Sequence, residues 1–259
     1  MTNTALIFKT APGHEVLAAA GKKMLRPGGK LATKQLFEWA NFQPGETVLE
    51  LAASFGYSSI ALAEGFGVKV VGVEKNPESV ARARANVAAA GLSDGVEIVE
   101  GDIFHLDRIS QQFDWVLAEA ILTMQSPSGK AKIVSGICDR LKPRGKFLSH
   151  ELLVKNGESE IHKALSEVIR VNSTPLSESG WIAVYQNAGL QVEKCQAGAM
   201  GLLNLPRMLQ DEGFVGTVRI LWNILSRSHI RDRILAMRRV FQHYQQDLGY
   251  ILISAKKQS

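Results

Sequence analysis

The sequence predicts an α/β fold: a doubly wound sheet with helices on both faces and a helical insertion ahead of the last strand. Three observations carry this prediction. From residue 46 onward, apolar β-branched runs alternate with longer helical patterns, which is how a parallel sheet with crossover helices reads. Most of those runs are apolar enough to be buried on both faces. Almost fifty residues with helical periodicity separate the last two runs, far more than an ordinary connection needs.

The strands are expected at 46–52, 68–74, 96–102, 113–119 and 145–153. Between the second and third, Asn76 can cap a helix whose first position is Pro77, where the missing N–H costs nothing, and Gly91 closes it. Val80, Ala83 and Val87 then fall on one face with Arg82 and Arg84 off it, as in a helix lying on a sheet. The unit from 46 to 102 thus reads βαβαβ. Helices follow at about 158–170 and 177–188, then a strand at 191–198, a helical stretch over 202–247 and a last strand at 249–257. Three parts result: lead-in helices (1–45), a core (46–198 plus 248–259) and a helical lid (199–247).

At 259 residues, with 46% hydrophobic and 21% charged residues, the chain has the composition of a globular protein with room for one large core. Only Cys138 and Cys195 are present, which excludes a disulfide framework and a cysteine-based metal cluster; no metal site is expected, and a reducing, cytoplasmic setting is. Lys9, Pro12, Gly13 and His14 break the opening apolar run before it can act as an export signal. The most apolar later stretch, Phe214 to Leu225, contains Arg219 and falls well short of the roughly 20 residues that span a bilayer. Net charge is +5, and residues 200–259 hold nine basic against four acidic residues, so the excess belongs to the C-terminal quarter.

The informative segment is VLELAASFGYSS, where a buried strand runs into a small-residue turn that lets backbone approach a ligand. Its spacing is Glu50-x-Ala52-x-Ser54-x-Gly56; a dinucleotide GxGxxG begun at Ala52 would need glycine at Tyr57. This pattern resembles the first motif of the class I S-adenosylmethionine-dependent methyltransferases, acidic-x-Gly-x-Gly-x-Gly, with Ala52 and Ser54 in two glycine positions and Gly56 kept. Glu74 ends the second strand at the family's ribose position, and Glu100-Gly101-Asp102-Ile103 matches its adenine-facing segment. LKPRGKFL resembles its LKPGG turn into the fifth strand, with Arg144 in place of the first glycine. LRPGGKLAT (25–33) resembles the lead-in helix of small-molecule members.

The resemblance implies a seven-stranded sheet with an antiparallel last strand and S-adenosylmethionine as cofactor, with S-adenosylhomocysteine as product. It also implies that Glu50, Ala52, Ser54, Gly56, Glu74, Lys75, Asp102, Ile103 and Glu119 bind that cofactor. Methyl transfer from a sulfonium needs alignment and dryness more than acid–base chemistry. Candidates for such help at the strand ends are Glu119, His150 and Glu151. His150 reads equally as a hydrogen-bonded core histidine, and since strand neighbours alternate, at most one of His150 and Glu151 faces the pocket.

In the lid, Ile230, Ile234, Met237, Phe241 and Tyr244 form one apolar helical stripe, with Arg231, Arg238 and Arg239 off it. It reads as a lid helix with solvated arginines; an RNA face or a membrane-surface contact are the sharper alternatives. A small-molecule acceptor is expected and nucleic acid disfavoured, since no basic–aromatic cluster offers a stacking platform. A non-catalytic nucleoside- or partner-binding protein, an RNA methyltransferase, an NAD-dependent oxidoreductase and a homodimer all stay open.

Overall fold

The computed structural model describes residues 10–258. Residues 1–9, which carry most of the opening apolar run, and residue 259 lie outside the described part. Seven strands form one sheet in the order β3-β2-β1-β4-β5-β7-β6. They are β1 (Thr47–Leu51), β2 (Lys69–Glu74), β3 (Val96–Glu100), β4 (Phe113–Glu119), β5 (Leu141–Val154), β6 (Leu190–Ala199) and β7 (Leu248–Lys257). The pairs among β1 to β5 are parallel, and β7 runs antiparallel between β5 and β6. The doubly wound sheet and its antiparallel last strand are as expected.

The helices are α1 (Gly13–Ala19), α2 (Gly29–Ala40), α3 (Tyr57–Phe66), α4 (Pro77–Ala89), α5 (Pro127–Arg140), α6 (Glu158–Ile169), α7 (Glu178–Asn187), α8 (Leu205–Ser226) and α9 (Ser228–His243). On one sheet face, α2, α3 and α4 bury Leu36, Phe37, Leu62, Ala83 and Val87 against Val48, Val70 and Leu117. On the other, α5 and α7 bury Ile133, Ile137, Trp181 and Tyr185 against Leu49, Val116 and Phe147. Gly72 makes the first packing feasible: a Cβ there would stand 2.9 Å from both Ala53 Cβ and Ile98 Cδ1. Asn76 Oδ1 accepts the Ser79 N–H at 3.0 Å and caps α4 with Pro77 following, as the sequence indicates.

Five local expectations need correction. The third strand stops at Glu100, because the Asp102 carboxylate accepts the Phe104 N–H and starts a 3-10 helix, Ile103–Arg108. The fifth strand begins at Leu141, not 145: the Lys-Pro-Arg-Gly segment is drawn into it across a register shift between Phe113 and Trp115. The stretch 202–247 is two helices that part at Arg227, and Gly213 (φ 71°, ψ 174°) kinks the first. The lead-in helix starts at Gly29, so most of LRPGG is loop. The apolar stripe of α9 is not exposed: Ile230, Ile234 and Met237 pack with Val16 and Leu17 of α1 and Ile220 of α8 in a third core.

Candidate active site at the carboxyl ends of the strands

Where β1 ends, Ala52, Ser54 and Gly56 are all in the left-handed region (φ 53°, 51° and 77°), and Gly56 caps α3 in that conformation. An L side chain there costs roughly 1 kcal/mol or more per residue. The loop therefore keeps a glycine-type backbone at two positions that carry side chains. It is pinned from β2, where Glu74 Oε2 accepts the Ser54 N–H at 2.8 Å and Glu74 Oε1 the Asn76 N–H at 2.9 Å. Glu74 pairs in register with Glu100, and beyond β3 the Asp102 carboxylate takes Lys75 Nζ at 2.8 Å, which with the Phe104 N–H lowers its pKa. Ile103 packs, partly buried, beside it. Glu50, Ala52, Ser54, Gly56, Glu74, Lys75, Asp102 and Ile103 thus gather on the ends of three adjacent strands.

Beneath them lies a buried polar network. Glu50 accepts the Ser59 hydroxyl; burial pushes its pKa up to about 7, against that bond and the Arg26 charge. Glu119 Oε2 meets Arg26 Nε at 2.7 Å and the Ser58 hydroxyl at 3.1 Å, while its Oε1 takes the Thr33 hydroxyl at 2.5 Å. Burial alone would raise the Glu119 pKa, but Arg26, His150 and Thr33 outweigh it and bring it down to about 2. His150 is fully buried: Nε2 accepts the Gly28 N–H at 3.0 Å, so Nδ1 carries the hydrogen and faces Glu119 Oε1 at 3.4 Å. Gly28 has to be glycine for this, since a Cβ would stand 2.8 Å from His150 Nε2.

Glu151 points to the other sheet face, as strand alternation demands. Its carboxylate accepts the N–H groups of Leu122 and Thr123 and the Thr123 hydroxyl, tying down the loop after β4, and burial raises its pKa to about 7. The acid–base roles expected of Glu119, His150 and Glu151 therefore meet a physical obstacle. The polar atoms of all three are engaged in buried internal bonds, and none of the three lines the adjoining cavity.

That cavity, about 70 Å³, lies where the loop after β4 meets α1, α6 and α9, and Ala120, Thr123, Leu165, Met237 and Phe241 are among its walls. Three of its lining side chains are polar: His14, Thr123 and Ser173. Thr123 is committed to Glu151, but Ser173 Oγ is buried with no hydrogen-bond partner. His14 is exposed at the edge of the cavity, and the packing on its inner side lowers its pKa against the pull of Glu15 and Glu74.

A sequence profile described as a methyltransferase domain matches residues 42–211. The chain belongs to the methyltransferase-domain family. An uncharacterized protein of Haemophilus influenzae is 34% identical over 250 residues, 96% of this chain and 99% of its own. The protein-L-isoaspartate O-methyltransferase of Thermococcus onnurineus is 26% identical over 66% of this chain and 76% of its own. In fold, a methyltransferase from Geobacter sulfurreducens, solved with S-adenosylhomocysteine, superposes with a TM-score of 0.69 at 15% identity, covering 93% of this chain and 97% of the other. The protein is a class I methyltransferase, an enzyme whose cofactor is S-adenosylmethionine.

The strand-end residues of this methyltransferase fit that cofactor chemically. A nucleoside offers ribose hydroxyls and an adenine amino group, all donors, and Glu74 and Asp102 present acceptors with lone pairs to spare on adjacent strand ends. The sequence motifs do not single out Arg26, Thr33 and Ser58, the partners of Glu119, or His14 and Ser173 as site residues. Arg26 had a signal, because a carboxylate at the buried end of a central strand requires a cation somewhere in the chain. His14 and Ser173 had none, being brought to the cavity by tertiary packing alone.

Proposed function

We propose that the protein methylates a small, largely apolar molecule held in the cavity beside Ala120. The observation that carries this reading is the cavity itself: its walls are apolar, it adjoins the end of β4, and its buried Ser173 hydroxyl lacks a partner that an acceptor's polar atom would supply. S-adenosylmethionine, when bound, supplies the methyl group as an activated sulfonium substituent. In this proposal Glu74 and Asp102 hold the nucleoside, Glu50, Ala52, Ser54 and Gly56 shape the loop around the remainder, and Lys75 and Ile103 border it. Glu119 and His150 act as positioning residues that join Arg26 and Gly28 of the lead-in segment to the sheet, and Glu151 fixes the β4 loop. α8 and α9 form the lid, and its lower face excludes water.

His14 is the proton acceptor in this reading when the nucleophile has a proton to lose. With its pKa lowered, the imidazole is neutral at pH 7, so turnover rises with pH through a value below 6.5 and then levels off. The two free cysteines suit a reducing compartment, and a cytoplasmic setting is part of this reading. The test is a screen of phenolic, heteroaromatic and aliphatic acceptors for S-adenosylhomocysteine release. With a turned-over acceptor, His14→Gln lowers kcat about 10- to 100-fold and removes the rising pH limb while cofactor affinity holds. Turnover restricted to RNA or to large polar acceptors would defeat the reading.

A further inference from the structure

One face of α8 has no partner among the described residues. Phe214 is 75% exposed, Val215 78%, Val218 50%, Trp222 69% and Leu225 70%, with Leu221 beside them. At 3.6 residues per turn these six fall within an arc of about 120° on the second half of the helix. The opposite face of the same segment, Thr217 and Ile220, is buried. Single exposed apolar side chains are ordinary; six on one helical arc, two of them large aromatics, are not.

The charge around this arc points to its occupant. Arg219 is exposed and flanks it on the same helix, and Arg227, exposed and donating to the Ala19 carbonyl at 3.4 Å, follows two residues beyond Leu225. Neither has a carboxylate partner among the described residues. The local acids are used elsewhere: Asp211 and Glu212 are buried against Lys22 and the Lys23 and Lys30 N–H groups, and Asp232 pairs with Arg231. A helix with an exposed aromatic-rich face and uncompensated arginines at its edges has the chemistry of an interfacial helix, apolar side among acyl chains and guanidinium groups among phosphates. A second copy of the chain fits less well, because two-fold packing of this face would bring its own arginines together.

We propose that the Phe214–Leu225 face of α8 docks on an anionic membrane surface, lying in the interface without crossing the bilayer. No helix among the described residues is long and apolar enough to span one. The inference is independent of what the cavity accepts.

The test is flotation of the full chain with vesicles of phosphatidylcholine alone or with about a third phosphatidylglycerol, together with Trp222 emission. The expected result is binding to the anionic vesicles only, a blue shift, and at least a tenfold weakening from about 0.05 M to about 0.5 M salt. Phe214→Ser with Trp222→Ser and, separately, Arg219→Glu with Arg227→Glu should each lose at least tenfold in binding while S-adenosylhomocysteine affinity holds. The proposal is overturned if anionic vesicles are not bound, if neutral vesicles bind equally, or if neither pair of substitutions changes binding. Sedimentation showing a dimer that Phe214→Ser dissociates would assign the face to a second copy and overturn it as well.

Discussion

The two halves of the site are held together by different physics. At the ends of β1, β2 and β3, the loop and its carboxylates are fixed by backbone hydrogen bonds and by short connections within each strand–helix unit: Ser54 to Glu74, Asn76 to Glu74, Phe104 to Asp102. Beside them the cavity is walled by apolar side chains from α1, the β4 loop, α6 and α9, segments far apart in the chain and joined only by packing. The first arrangement specifies a ligand atom by atom; the second specifies a volume and its dryness. On the proposed assignment of the acceptor to the cavity, an enzyme built this way can keep one cofactor while its acceptor changes with a few wall residues. The joint between the halves is the Arg26–Glu119–His150 network, which belongs to neither.

Breaking the joint should have the largest effect. Glu119→Ala leaves the partly buried Arg26 without its carboxylate partner and the Thr33 and Ser58 hydroxyls without their acceptor, and should cost about 3 to 5 kcal/mol of stability in urea denaturation, with the cavity end loosening along with the β1–β3 end. If stability is unchanged, the halves are not joined there. Next, Glu74→Ala removes a carboxylate proposed to meet two ribose hydroxyls, so S-adenosylhomocysteine affinity should fall by about 2 to 4 kcal/mol in calorimetry. An equal loss of acceptor affinity would blur the distinction between the halves.

The pH dependence is a finer probe. Glu50 and Glu151 have folded-state pKa values raised to about 7 from 4.5, so the stability tied to their protonation is full below 4.5 and lost as pH rises through 7. Glu119, lowered to about 2, works oppositely: its contribution is present above 4.5 and disappears only as pH falls towards 2. Between pH 5 and 8 the apoprotein should therefore lose stability with rising pH, and Glu50→Gln should flatten part of that slope in thermal melts. The smallest expected effect is at the loop. Ala52→Gly relieves a left-handed alanine and should stabilise by up to about 1 kcal/mol without weakening cofactor binding.

The same contrast explains what the sequence made legible. The order of the strands, the Asn76 cap and the spacing of Glu50, Glu74 and Asp102 are local facts and stand as expected, whereas the bounds of β3 and β5 shift where Asp102 caps a 3-10 turn and where Lys142 to Gly145 join the sheet. The replaced glycines hid less than their residue types suggest, because Ala52, Ser54 and Arg144 adopt the left-handed backbone that glycine would (φ 53°, 51° and 66°). Side-chain roles were less legible. A strand pattern places His150 and Glu151 on opposite faces but cannot say that Gly28 and Thr123 occupy their polar atoms. The apolar faces of α8 and α9 show the same limit. The α9 stripe and the Phe214–Leu225 run look alike in sequence, yet α1 covers the first and leaves the second open.

The most direct test of this account is a calorimetric titration of the purified protein with S-adenosylhomocysteine and with NADH in one buffer. Micromolar binding of S-adenosylhomocysteine, weakened at least about 30-fold by Glu74→Ala, with no heat from NADH is the predicted result. Failure to bind S-adenosylhomocysteine, or comparable binding of NADH, would contradict the assignment of the strand ends to the methyl donor.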